Sequence, residues 1–292
     1  MKKTHAVLLL GTMLAMPAMA EEIDRSLDAA EDGHVDVSNI SGSVSIEGWS
    51  RDVVKVTGEL GRNVEELIFE RSGDKITIKV KVPRKSGRGI ETDLYIQVPE
   101  QSSIDVGTVS ADIEVDGVFG EQKLNTVSGD IDADAVSADV TAGAVSGDVE
   151  VNGERKDAET RANSVSGDVT LFRVAGNIAA ESVSGDIIID EGSFDRVSMN
   201  TVNGEILFQS ELRDGGKLKA ETVNGSVDVE FVGAIEGRFD IDTFNGDIDN
   251  CFGPKARRTS KYTPGWELEF EEGDGDARIT ISTLNGDVNL CR

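Results

Sequence analysis

Apolar residues return along this chain at short, regular intervals, carried by one phrase, T-V-S-G-D-I, in variants. It stands at 108–113 (TVSADI), 126–131 (TVSGDI), 144–149 (AVSGDV), 164–169 (SVSGDV) and 182–187 (SVSGDI). It continues at 201–206 (TVNGEI), 222–227 (TVNGSV), 243–248 (TFNGDI) and 283–288 (TLNGDV). The fourth position falls at 111, 129, 147, 167, 185, 204, 225, 246 and 286, in steps of 18, 18, 20, 18, 19, 21, 21 and 40. Further copies, Ala135–Val140 (AVSADV) and the VAGNI around Gly176, lie midway between neighbouring phrases. A period near 20 that halves predicts two short strands per coil with a bend between them.

Within a phrase the second and sixth positions are Val, Ile, Leu or Phe, and another apolar residue often follows two residues later, as at Val151 and Ile189. That alternation belongs to a strand with one face inward. A single coil is too thin to bury its own apolar face, so coils must stack. The expected fold is all-β, a parallel β-helix of about 18–21 residues per coil. In-register stacking puts like residues about 4.8 Å apart in ladders. Val127, Val145, Val165, Val183, Val202, Val223 and Phe244 are expected to form an interior ladder. Ser128, Ser146, Ser166 and Ser184 lead into Asn203, Asn224, Asn245 and Asn285, whose amides can hydrogen-bond along the axis.

Both ends depart from this pattern. Before residue 107, strands are expected at Val35–Val37, Ser43–Glu47, Val53–Gly58, Leu67–Phe69, Lys75–Val82 and Leu94–Val98, separated by turn signals. Ser41-Gly42-Ser43-Val44 echoes the phrase once, which suggests a distorted first coil with added strands that cap the stack. At the other end, Cys251 and Cys291 each lie five residues after a phrase glycine, 40 residues apart. If Trp266–Phe270 and Ala277–Thr283 loop out as a hairpin, the two phrases become adjacent coils and the cysteines stacked neighbours. A disulfide then fits, whereas one intervening coil would separate them beyond reach. The expected organisation is a leader over 1–20, a β-rich N-terminal cap over 21–106, β-helix repeats over 107–250, and a disulfide-closed hairpin with the last coil over 251–292.

The leader rests on Lys2 and Lys3, a mostly apolar run from Ala6 to Met16, and Ala18-Met19-Ala20, an A-x-A cleavage pattern. It implies export, to the periplasm or beyond the cell, after cleavage at Ala20. No apolar run reaches the length of a membrane span. Composition changes the picture through charge: 55 acids against 29 bases give −26, which disfavours nucleic acid and anionic lipid as partners.

The repeated V-S-G-D-[IV] and V-N-G-[DE]-[IV] phrases, the segment SGSVSIEGWSRDVVKV and the ending NGDIDNC…TLNGDVNLC resemble a bacterial family. It is the "putative adhesin" family of β-strand-repeat exported proteins, and the resemblance spans about Ser38 to Cys291. It implies a pectin-lyase-like parallel β-helix, an exported location and an adhesion or envelope role, and it carries no catalytic residues.

The residues themselves give little support to catalysis. After loss of the leader one histidine, His34, is left, which excludes a multi-histidine metal site. Glycosidase-type carboxylate pairs are formally available, but Asp130, Asp148, Asp168, Asp186, Glu205, Asp247 and Asp287 share one phase, which speaks for a repeat constraint. Like charges about 4.8 Å apart repel by about 1 kcal/mol even in water. Such a ladder must therefore be solvated at a corner, bridged by cations, or partly protonated. Calcium candidates are Asp130, Asp148, Asp168 and Asp186, with the acidic turn Glu271–Asp276 as a second candidate. The loop 252–264 carries Lys255, Arg257, Arg258 and Lys261 without an acid, and is a candidate contact for an anionic component or partner. The expected function is a non-enzymatic, adhesin-like or cell-envelope interaction module, meeting an envelope component, a surface glycan or a protein. Alternatives are a structural or stress-associated envelope protein and, third, a carboxylate-based polysaccharide-active enzyme.

Overall fold

A computed structural model describes residues 21–84, 88–260 and 264–292. The leader, Lys85 and Lys261 lie outside the described residues. Among the described residues there are 23 strands joined into one sheet and no helix able to cross a membrane. The sheet winds as a β-solenoid-like stack. Strand Val140–Ser146 pairs in parallel with Gln122–Ser128 on one side and Asp157–Ser166 on the other; Val140 faces Gln122 and Thr160. Past the bend, Val149–Gly153 pairs likewise with Ile131–Ala135 and Val169–Phe172. Each phrase is therefore a corner joining two strands that lie in two different stacks.

The side chains that fill the interior explain why the stack holds. Before the corner, alternate residues point inward: Val140, Ala142 and Ala144 in one coil, Leu218, Ala220 and Thr222 in another. After it, the sixth position and the residue two further on are buried, as in Ile187/Ile189 and Ile206/Phe208. The core varies along the axis. Small residues (Ala133, Ala142, Ala162) line the middle coils, after Ile104, Ile113 and Leu124 of the earlier ones. A column of phenylalanines runs through the last ones: Phe194 to Phe208 to Phe231 to Phe239 at 6.0, 5.9 and 6.2 Å, ending with Phe270 stacked on Phe239 at 4.4 Å. Rings at these separations contribute beyond the area they bury.

The expected interior valine ladder is corrected by the structure. Val127, Val145, Val165, Val183, Val202, Val223 and Phe244 are exposed, between 38 and 46%. The first position of the phrase is buried instead: Thr126, Ser164, Ser182, Thr201, Thr222, Thr243 and Thr283. The reason is parity. Two consecutive residues, at the second and third positions, both point outward at the bend, so inward positions on its two sides are five apart. The buried hydroxyls are satisfied by the bend itself. Thr201 Oγ1 donates to the Gly185 carbonyl at 3.1 Å, Thr222 to Gly204 at 3.2 Å, Thr243 to Gly286 at 2.9 Å and Ser164 to Gly147 at 2.9 Å. The glycine is needed because coils approach backbone to backbone there. A Cβ on Gly147 would stand 1.9 Å from the Gly129 carbonyl oxygen.

Both ends thread the chain inward. Strand His34–Trp49 lies between Ser103–Asp116 on one side and Lys75–Lys81 with Thr92–Pro99 on the other. Its Gly42 pairs with Ala111, so the early SGSV echo is in register with the repeats. Glu66–Ser72 and Val53–Leu60 then close this end with antiparallel pairing, and Glu21–Asp28 covers Val53–Leu60. At the far end, Ala277–Asn285 inserts between Ile206–Asn224 and Gly237–Asn245, so Thr283 faces both Thr222 and Thr243. The phrases at 246 and 286 are adjacent, and Cys251 and Cys291 form a disulfide with Cα atoms 4.9 Å apart. The expected hairpin is corrected: Trp266–Glu272 pairs antiparallel with the outer edge of Gly237–Asn245, while Ala277–Asn285 pairs with its inner edge. The two strands flank a third because the outermost coil needs a cover and the last phrase needs a parallel slot.

Candidate binding corner

The corner phrases present three parallel rows to solvent. The second positions form a continuous apolar stripe, in spatial order Val109, Val127, Val145, Val165, Val183, Val202, Val223, Leu284 and Phe244. Nine residues separated by eight steps of about 4.8 Å make it roughly 40 Å long. A scattered exposed valine means nothing, but a contiguous apolar row does. Beside its middle, Asn163, Glu181, Asn200 and Thr201 help line a shallow groove of about 250 Å³.

The third positions form the polar row next to it. Its asparagines do bond along the axis, Asn224 to Asn203, Asn285 to Asn224 and Asn245 to Asn285, each at 2.8 Å. The inserted last phrase thus completes this row between the coils of Asn224 and Asn245.

The fifth positions form the acidic row. From Asp112 to Asp186 each carboxylate accepts the backbone N–H of the next acid in the row. Asp112 takes Asp130 N at 3.0 Å, Asp130 takes Asp148 N at 2.9 Å, Asp148 takes Asp168 N and Asp168 takes Asp186 N at 2.8 Å. Asp186 accepts from Glu205, and Asp287 from Asp247 at 2.9 Å. The repeat therefore requires an acceptor here. Each of these acceptors uses one oxygen on the backbone, and among the described residues none of the acids in the row enters an ion pair. Among the described residues no three His, Cys, Asp or Glu gather as a metal cage. Asp130, Asp148, Asp168 and Asp186 form a line of acceptors.

The other flank also turns acidic toward the Phe244 end, through Glu221 and Asp242. Burial pushes the Asp242 carboxyl up, opposed by its hydrogen bond from Ser282 and reinforced by Asp240, Glu221 and Glu267. On the second face, burial, then a shared hydrogen bond and charge repulsion with Asp116, push Asp134 up to about 6.

The remaining candidates are placed as follows. Arg257 Nε bonds Glu267 at 2.9 Å, and Arg258 lies 4.7 Å over the Trp266 ring, so both bases are engaged within the C-terminal cap. Lys255 lines a cleft of about 460 Å³ with Asp247, Asp249, Asn250 and Trp266. Trp49 packs in the N-terminal cap, its Nε1 donating to the Val53 carbonyl at 2.7 Å under Arg51. In the Glu271–Asp276 turn, Glu271 binds Arg238 and Glu272 binds Arg292. His34 Nδ1 lies 3.0 Å from Ser103 Oγ. The stripe is the feature that the phrase read alone conceals. Its signal lies upstream: in Leu218-x-Ala220-x-Thr222 the apolar alternation lands on the threonine and leaves Val223 outside.

The Toastrack DUF4097 family profile matches residues 27–180 and again residues 173–291. No curated protein matches the sequence significantly. Similar solved structures include one described as a "putative adhesin" from Bacteroides fragilis, 11% identical, covering 94% of this chain and 98% of that chain, with a TM-score of 0.46. Another, described as a "putative lipid binding protein" from Parabacteroides distasonis, is 15% identical over 92% of this chain and 96% of that one, with a TM-score of 0.44. A third, described as a "putative cell adhesion protein" from Clostridium sporogenes, is 10% identical over 94% and 99%, with a TM-score of 0.25.

Proposed function

We propose, for a chain that belongs to the Toastrack DUF4097 family, a non-enzymatic, adhesin-like role as an interaction module of the cell envelope. In this reading the protein is exported after removal of residues 1–20 and is a parallel β-helix of 18–21 residues per coil. The observation that carries it is the exposed apolar stripe from Val109 to Phe244. The nine side chains remain 38–47% exposed, which leaves apolar area whose covering by a partner would stabilise by tens of cal/mol per Å². The stripe is held by backbone hydrogen bonds from bend to bend, as from Ser184 N to the Val165 carbonyl, Asn203 N to Val183 and Asn224 N to Val202, so binding costs little ordering entropy.

The test is co-sedimentation of the mature protein with isolated envelope fractions. Val145→Thr, Val165→Thr and Val183→Thr together keep the β-branched shape and remove the apolar row at mid-stack. Saturable binding that weakens at least tenfold, about 1.4 kcal/mol, supports the reading. Binding untouched by the triple variant sinks it. Charge reversal at Lys255 checks the basic loop in the same assay.

A further inference from the structure

Resting on that reading, we infer that the corner's partner is a cationic amphipathic polypeptide segment, apolar along one side and rich in Lys or Arg beside it. The stripe and the acidic row run side by side for the length of the stack, three residues apart around each bend, a chain distance of at most about 10 Å. From Asp112 to Asp247 the row places a carboxylate at every coil but one, where Ser226 stands. Asp112, Asp130, Asp148, Asp168, Asp186 and Asp287 each accept a backbone N–H on one oxygen, yet the charge stays: none of the acids in the row has a cationic partner among the described residues. Elsewhere bases are paired locally, Lys219 with Glu221 and Arg213 with Asp157 and Asp195. The acidic row therefore keeps its negative charge in one line beside the apolar row.

The complement of an apolar floor with a negative rail is an apolar ridge with a positive edge. An amphipathic helix supplies both, with an apolar face recurring every 3–4 residues. About 26 helical residues at 1.5 Å each would match a 40 Å stripe. The same charge works against the other occupants. An anionic bilayer is repelled by a chain of −26, and a second copy meets that charge doubled.

The experiment titrates the mature protein with three labelled 20-residue peptides: a Leu/Lys amphipathic helix, its Leu/Glu counterpart, and a Ser/Lys peptide of equal charge. Fluorescence anisotropy is read in low and high salt. The variants are the Val145/Val165/Val183→Thr triple and Asp148→Asn, Asp168→Asn and Asp186→Asn combined; asparagine keeps the acceptor for the neighbouring N–H while removing charge. The inference expects saturable binding of the Leu/Lys peptide alone, weakened at least tenfold by either triple and by salt. Equal binding of Ser/Lys and Leu/Lys peptides overturns it, as does Leu/Lys binding that neither triple weakens. Self-association abolished by the valine triple would assign the stripe to a second copy and also overturn it. If envelope binding falls with the valine triple while the asparagine triple leaves it unchanged, the interaction-module reading stands and this inference alone fails.

Discussion

Gly147 and Asp134 show how single residues are constrained by the coil above or below them. An alanine at Gly147 would force its Cβ against the Gly129 carbonyl, so Gly147→Ala is expected to destabilise by about 1–3 kcal/mol, the range for overpacking. Gly107→Ala is the control, since a Cβ there meets nothing within 4 Å, and its melting temperature should be unchanged or slightly higher. Urea denaturation separates the two. Asp134 gives a pH signature. Its folded-state value of about 6 lies above the ordinary 3.8, so the folded protein holds this proton more tightly than the unfolded chain. The group's contribution is thus fully present below about pH 3.8 and is lost as pH rises through 6. Asp134→Asn should raise the melting temperature at pH 7.5 and leave it nearly unchanged at pH 4. An equal effect at both pH values would refute the assignment.

At the scale of elements, the last strands are held by insertion as well as by covalent bonding. Ala277–Asn285 and Val288–Cys291 have parallel partners on both sides, and the disulfide ties Cys291 to the outermost coil. Closing a loop of about 40 residues restrains the unfolded chain by roughly 4 kcal/mol in the entropy treatment, and measured effects are commonly 2–4. Cys251→Ser with Cys291→Ser should lower stability by about 2–4 kcal/mol and speed amide exchange first in Gly237–Asn250 and Trp266–Glu272. Exchange that accelerates first near the N-terminal cap would contradict this. Each terminal cover runs antiparallel to the coil it protects, which blunts edges that would otherwise template association.

For the whole molecule, one axis carries a continuous core, a corner row on each coil and an excess of negative charge. Shortening the stack by a coil removes one rung from the apolar, amide and acidic rows together. A deletion of 129–146, which replaces the Gly129 bend by the next in phase, should fold and weaken Leu/Lys peptide binding less than the valine triple does. Circular dichroism and the anisotropy titration read the two properties separately. A deletion that folds but abolishes binding would mean that the contact is local to the Gly129 coil and is not spread along the stripe.

The all-β stack, the two strands per repeat, the cap strands and the disulfide were legible in the sequence, because period and phase are properties of spacing alone. Val53–Leu60, Lys75–Lys81 and Thr92–Pro99 follow the expected strands to within a few residues. The direction of each corner valine was not, since a bend that turns two successive side chains outward breaks the alternation on which that reading depended. The threading of Ala277–Asn285 into an inner slot likewise required the folded molecule. Identical phrases can pair with any neighbour, and only the closure of the Phe239–Phe270 end and the Thr222–Thr283–Thr243 contacts select one order. Sequence determined what repeats; tertiary packing decided which side of the repeat faces water.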